Sequence, residues 1–159
     1  MNLQNIMRTE DVIDGRAGSA YLMDGEKRLL LFHLKKWESK TDLEKTDVPR
    51  LGVTVPGYRY NGTKNTFTAD MYYVSDIFRQ KVIEYMKTGK QFTFDIQITN
   101  DDTNSAAGRH TMIHRNCMLD SVILAKLDIT TTALEESISG TFERVDMPEA
   151  FKELEGMRA

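Results

Sequence analysis

Three histidines and a single cysteine are the side chains in this sequence best equipped for metal binding or nucleophilic chemistry. His110 and His114 lie four residues apart in a stretch that reads as a strand, where every second residue shares a face. Two neutral imidazoles on one face would begin a metal site. Zinc requires at least one further protein ligand, and none stands at a supporting spacing. Both are therefore expected to be surface or hydrogen-bonded histidines, and so is His33, which stands alone between an apolar run and a charged one. Nothing around Cys117 marks a lowered pKa, and an isolated cysteine commonly behaves as a small buried hydrophobe. The acidic pairs Asp101-Asp102 and Glu135-Glu136 fit solvated loops and strand faces better than general acid–base pairs. The glycines do not form the phosphate-cradling pattern that opens a helix. No catalytic, cofactor-binding or metal-ligating residue is expected, and the chain reads as a non-enzyme.

The elements that hold these residues are mostly strands, because apolar and polar residues alternate with period two. Phe92, Phe94, Ile96 and Ile98 face one way, against Thr93, Asp95, Gln97 and Thr99. Phe67, Ala69, Met71 and Tyr73 oppose Thr66, Thr68, Asp70 and Tyr72. Leu134, Ile138 and Phe142 oppose Glu135, Ser137, Ser139, Thr141 and Glu143. A less regular strand sets Leu119, Ile123, Ala125 and Leu127 against Asp120, Lys126 and Asp128, with Val122 and Leu124 on its polar side. Asp24-Gly25 is a tight-turn signal and predicts a hairpin between a short strand at 19–23 and one long strand over 29–44. In that long strand Lys36, Glu38, Lys40, Asp42 and Glu44 share one parity, with Trp37, Ser39, Thr41 and Leu43 on the other.

One helix is predicted, over about 75–88. Ser75 is placed to cap it, Ile77, Phe78, Val82, Tyr85 and Met86 form an apolar stripe to pack on the sheet, and Gly89 is placed for a left-handed C-cap. Residues 47–61, with Pro49 and Pro56, read as an extended arm, and 100–108 as a polar loop between strands. A short acidic helix is expected over 149–155.

The chain has 159 residues, enough for one domain with a sizeable core. A net charge of -3 gives no basic excess for sequence-independent grip on a phosphate backbone. With one cysteine, no intrachain disulfide is available, which suits a reducing cytosol. Residues 1–14 carry Arg8, Glu10, Asp11 and Asp14 and do not read as a signal peptide. No apolar run is long enough for a membrane-spanning helix. The expected organisation is a single domain over 1–159, with an N-terminal arm 1–14, an extended loop at about 47–61, to which the resemblance given below adds an inter-subunit role, and a short C-terminal segment 148–159.

Motif detail adds to this reading. Gly108-Arg109-His110-Thr111, Asn116, Leu119-Asp120-Ser121 and Ile123-Leu124-Ala125-Lys126-Leu127-Asp128 resemble the tail tube proteins of contractile-tailed (myovirus-type) phages, particularly those of Gram-positive prophages and phage-tail-like bacteriocins. Ala133-Leu134-Glu135-Glu136, Gly140-Thr141-Phe142-Glu143 and Val145-Asp146-Met147-Pro148-Glu149 continue the likeness. Upstream, so do Asp24-Gly25, Trp37-Glu38, the helix opening at Ser75, Tyr85-Met86-Lys87-Thr88-Gly89, Gln97 and Asn100-Asp101. The resemblance covers roughly 15–151. It departs at 1–14, which looks longer, and at 49–60, which is richer in proline and aromatics.

The resemblance implies a mainly β (α+β) fold, a β-barrel or sandwich with one flanking helix. It implies hexameric rings stacked into a hollow tube within a contractile sheath. Sheath, tape-measure and baseplate proteins would be its partners, and DNA would meet it only in transit through the lumen. The tube would reside in the virion tail or a phage-tail-like particle, after synthesis and assembly in the host bacterial cytoplasm. On that basis Lys36, Glu38, Lys40, Asp42 and Glu44 are candidates to line the lumen, and Leu51, Val53, Val55 and Tyr58 to contact a neighbouring subunit. Two other readings stand beside it: a tube protein of a type VI secretion system, and a small ligand-binding β-barrel of lipocalin type.

Overall fold

The computed structural model describes residues 6–158. Of the N-terminal arm 1–14, residues 1–5 lie outside the described residues, as does residue 159 of the C-terminal segment. A 3-10 turn at Thr9–Asp11 precedes β1 (Gly18–Asp24), β2 (Lys27–Leu30), β3 (Leu34–Val48) and β4 (Gly57–Tyr72). Helix α1 (Ile77–Thr88) follows, then β5 (Phe94–Asp101), β6 (Arg109–Ser121), β7 (Glu135–Thr141) and β8 (Arg144–Glu149). All pairings are antiparallel, in the order β2-β1-β5-β6-β7-β4-β3, with β8 added on β6. The mainly β fold with one helix read from the sequence is the observed one.

The two ends of this path, β2 and β3, are joined by residues 31–33 alone, so the sheet must roll back on itself. Backbone bonds fix the closure: Leu31 N–H donates to Ala20 O at 2.8 Å, and Tyr72 N–H to His33 O at 3.0 Å. The single long strand expected over 29–44 is therefore corrected. Leu30 ends the hairpin that Asp24-Gly25 turns, with Gly25 at φ 62, and a new strand starts at Leu34. The apolar run from Leu29 to Phe32 masks this break in the sequence. Leu31 is buried beneath the closure while Phe32 is exposed.

Strand β6 serves both halves of the roll. Residues 109–117 pair with β5, while 118–121 pair with β7 and 111–115 with β8. Between the two regimes Asn116 adopts φ 54, a left-handed conformation that asparagine tolerates, and the register to β5 shifts there. Asp95 holds this bulge by accepting the Asn116 N–H at 3.0 Å.

The alternation read from the sequence sets the core. Phe67, Ala69 and Met71 of β4, Phe94 and Ile96 of β5, and Ile138 of β7 are buried together with Leu22, Cys117 and Phe142. Trp37 stacks on Phe67 with ring centroids 4.8 Å apart, and Phe78 of α1 meets Phe94 at 5.5 Å. Such aromatic pairs are worth roughly 0.5–1.5 kcal/mol beyond the area they bury. Gly140 pairs with Leu119 and Phe67, and a Cβ there would collide with the Met118 carbonyl and the Phe67 ring.

Four further expectations are revised. Residues 122–128 form no strand: β6 ends at Ser121, and Leu124 and Leu127 are exposed. The arm 47–61 is the far end of a hairpin, since β3 runs to Val48 and β4 begins at Gly57. No helix forms over 149–155. Lys152 N–H bonds to Ala107 O at 2.7 Å and the Phe151 ring stacks on His110, which tie the segment down in extended form. Helix α1 starts later than expected, at Ile77 after Asp76, although Ser75 Oγ still accepts the Ile77 N–H at 3.4 Å and Gly89 is the left-handed C-cap at φ 72. Only the N-terminal turn of its apolar stripe is covered. Phe78 is buried, whereas Tyr85 and Met86 are exposed.

Candidate assembly surfaces

The residues suited to chemistry sit in structural roles. His114 is buried in the core, its Nδ1 3.1 Å from Ile96 O and its Nε2 2.8 Å from Ser39 Oγ. Its ring meets Trp37 and Phe142 edge-on. Burial holds its pKa below the ordinary imidazole value. His110 instead stacks against Phe151, with ring centroids 4.5 Å apart. The two histidines thus serve a core and a tail contact, and the described residues hold no cluster of three ligands able to bind a metal. Burial pushes the Cys117 thiol up to about 12, which removes the thiolate a nucleophile requires.

Two carboxylates read as solvated are buried. Asp102 accepts N–H groups from Asp14 and Asn104, each at 3.0 Å, and so ties the N-terminal segment to the 102–108 loop. Glu136 pairs with Arg79, whose side chain is only 6% exposed. Arg79 also donates to Asp76 at 2.7 Å, to Ile123 O at 3.3 Å and to Ser75 O. One guanidinium thereby joins the helix start, β7 and the chain leaving β6. Glu136 has the parity of Ile138, which is the signal in sequence that it points inward; its partner 57 residues earlier leaves no such trace.

The polar faces of the strands form one surface. Lys36, Glu38, Lys40, Asp42 and Glu44 project from the same side of β3, all exposed. Their register partners on β4 include Asp70 beside Lys36, Thr68 beside Glu38, Thr66 beside Lys40 and Lys64 beside Asp42. Strand β7 continues the face with Ser137, Ser139 and Thr141. Ser137 donates to Asp70 at 2.7 Å, and Ser139 meets Ser121 of β6 at 3.2 Å. The charges alternate in sign along β3, where Lys36 reaches Glu38 and Lys40 reaches Asp42, both at 3.9 Å. Lys36, Lys40, Lys64 and Arg59, the partner of Thr46, against Glu38, Asp42, Glu44 and Asp70 leave the face balanced in charge.

Two further features leave backbone or apolar surface uncovered. Among the described residues the outer edge of β3 has no strand partner along its whole length, and an unpaired edge recruits another chain. At the far end of the β3–β4 ribbon, residues 49–56 form a tight tip with Gly52 at φ 76, Val53 N–H bonding to Arg50 O at 3.4 Å and Arg50 reaching Val55 O at 3.4 Å. Leu51 is fully exposed there, and Val53, Val55 and Tyr58 are largely so. A separate groove of 480 Å³ lies between α1 and the end of β6, lined by Val82, Tyr85, Met86, Phe92, Leu119 and Val122. Residues 122–134 leave it with Leu124, Leu127 and Ile129 exposed.

Comparison with known proteins bears on this arrangement. The family model described as phage tail tube protein matches residues 5–149. The phage-like element PBSX protein XkdM of Bacillus subtilis (strain 168) is 32% identical over 143 residues, 90% of this chain and 95% of that protein. Among solved structures, the fold matches a chain of the anti-feeding prophage baseplate with a TM-score of 0.65 at 8% identity, covering 89% of this chain and 97% of that one. It also matches a chain of an extracellular contractile injection system, in its sheath–tube complex in the extended state, with a TM-score of 0.63 at 14% identity, covering 89% and 94%.

Proposed function

Because the chain belongs to the phage tail tube protein family, we propose that it is the repeating subunit of a hollow tail tube, six copies to a ring and rings stacked end on end. A contractile sheath surrounds the tube, and baseplate and tape-measure proteins meet it at assembly. The particle is a phage tail or a phage-tail-like bacteriocin. DNA, where the particle carries it, only passes through. Subunits are made and assembled in the host cytoplasm.

The observation that carries this reading is the hydroxyl and mixed-charge face across β3, β4, β7 and the end of β6, opposite the apolar core over the stretch that pairs with β7 and continued on the projecting β3–β4 ribbon, which is exposed on both sides. An antiparallel sheet with one packed and one wet face suits a channel wall. A face without net positive charge does not grip phosphate, so a polyanion slides without binding. The unpaired β3 edge offers main-chain hydrogen bonds to the neighbour in the ring, as in strand addition.

Size-exclusion chromatography and negative-stain microscopy of the purified chain test the function, with rings or tubes as the expected result. A strictly monomeric species under all assembly conditions refutes it. A map of the tube with Lys36, Glu38, Lys40, Asp42 and Glu44 facing outward would refute their place in the lumen.

A further inference from the structure

We infer that the groove between α1 and the end of β6 receives the β3–β4 hairpin tip of a second copy in the next ring. The inference rests on the reading of the chain as a tube subunit and adds the identity of the socket. Its starting point is that two apolar surfaces of the same chain lack cover. One is convex, with Leu51, Val53 and Val55 alternating along a tip that the Arg50 clasp has already shaped. The other is concave, with Val82, Tyr85, Met86 and Leu119 around 480 Å³ of space. A preformed tip loses little entropy on docking.

Charge fits the same occupant. Asp120 lines the groove, and the tip carries Arg50. The second feature that fits is chain direction out of the groove. Residues 122–129 continue from its rim with Ile123, Ala125, Leu127 and Ile129 at strand parity, yet have no strand partner among the described residues. A ribbon end laid beside them supplies both an apolar cover and a backbone edge. Tip and groove are different patches, so their contact is heterologous. It is not used up in a dimer but repeats from copy to copy. Strand pairing within a ring and tip insertion between rings then use separate parts of the molecule.

The test is disulfide capture in assembled tubes. A Leu51→Cys chain is mixed with a Met86→Cys chain and oxidised, and the double variant is treated likewise; buried Cys117 does not compete. Crosslinked dimers from the mixture and a ladder from the double variant are expected, with no crosslink between Leu51→Cys and a Lys27→Cys chain. Independently, Asp120→Arg should raise the protein concentration needed for tubes by roughly tenfold, and Asp120→Glu should leave it unchanged. Tubes that form with no Leu51–Met86 crosslink, or a charge reversal with no effect, overturn the socket and leave the tube reading intact. Failure of the unaltered chain to form rings or tubes overturns both.

Discussion

Ser39 and His114 lie 75 positions apart in sequence and 2.8 Å apart in space, and their hydrogen bond ties β3 to β6 through the middle of the roll. The carbonyl of Ile96, 3.1 Å from Nδ1, only accepts, so Nδ1 carries the proton. Nε2 is then a lone-pair acceptor for the Ser39 hydroxyl. The imidazole is locked neutral, between Trp37 and Phe142.

Acid should therefore weaken the fold before it titrates ordinary carboxylates. His114 and His33 both have folded pKa values lowered from 6.5, chiefly by burial. At pH above 6.5 both states are neutral and stability is full. As pH falls below 6.5, the unfolded chain gains protons that the native chain resists, and stability declines until the lowered folded values are reached. Urea unfolding at pH 7.5 and pH 5.5 should show a lower midpoint at the acid value. His114→Gln should lessen that difference, and an unchanged difference would assign it to other groups.

Breaking the Arg79–Glu136 pair from either side should be costly. Removal of Arg79 leaves Glu136 as an unpaired buried charge, which costs roughly 3–5 kcal/mol, whereas without Glu136 the guanidinium keeps Asp76. Arg79→Met should therefore lower the urea midpoint strongly and Glu136→Gln less. A double Arg79→Met/Glu136→Gln chain should lose less than the two single losses together, and strictly additive losses would show that the pair is not coupled.

Gly140→Ala places a methyl group against the Met118 carbonyl and the Phe67 ring. Overpacking of this kind costs roughly 1–3 kcal/mol or more. Its melting temperature should fall well below that of the parent chain. Gly25→Asn is the contrast, since Gly25 has open space around it and asparagine tolerates its φ of 62. Equal behaviour of the two variants would contradict the packing argument.

The Cys117 thiol, raised to about 12, should be inert to maleimide at pH 7.5 in the folded chain and react rapidly once urea unfolds it. Mass spectrometry of modified protein across a urea series reads this directly. Rapid labelling in native buffer would mean that β6 opens locally.

Shortening the hairpin tip, with residues 50–55 replaced by Asn-Gly, should leave a folded subunit that fails to build long tubes. Circular dichroism checks the fold and negative-stain microscopy the tubes. Unimpaired tubes would remove the tip from the ring-to-ring contact.

The strands legible in the sequence are those whose alternation meets a partner within the chain. Phe67, Ala69 and Met71 point into the core as their parity demands, and Asp24-Gly25 turns a hairpin. Residues 122–128 carry a similar pattern but no neighbouring strand, and pattern alone does not distinguish the two cases. The stripe through Tyr85 and Met86 misled in the same way, because helical spacing states which face is apolar and not what covers it. The charged face of β3 was visible as alternation, and the register adds the threonines of β4 and serines of β7 that complete it. Arg79 and Glu136 were hidden because a buried ion pair is a relation between distant residues, with only the parity of Glu136 as a local clue.

The position of β7 has a consequence for timing during translation. Among the described residues it follows β1 to β6 in the chain, yet it lies between β4 and β6 and joins the β3–β4 ribbon to the rest of the sheet. A nascent chain that has not yet released residue 141 from the ribosome holds two partial sheets and no continuous polar face. A chain truncated after residue 134 should accordingly remain outside tubes formed by the unaltered chain. Assembly competence thus arrives only once β7 has joined the two parts of the sheet, which should keep chains that lack it from being built into a growing particle.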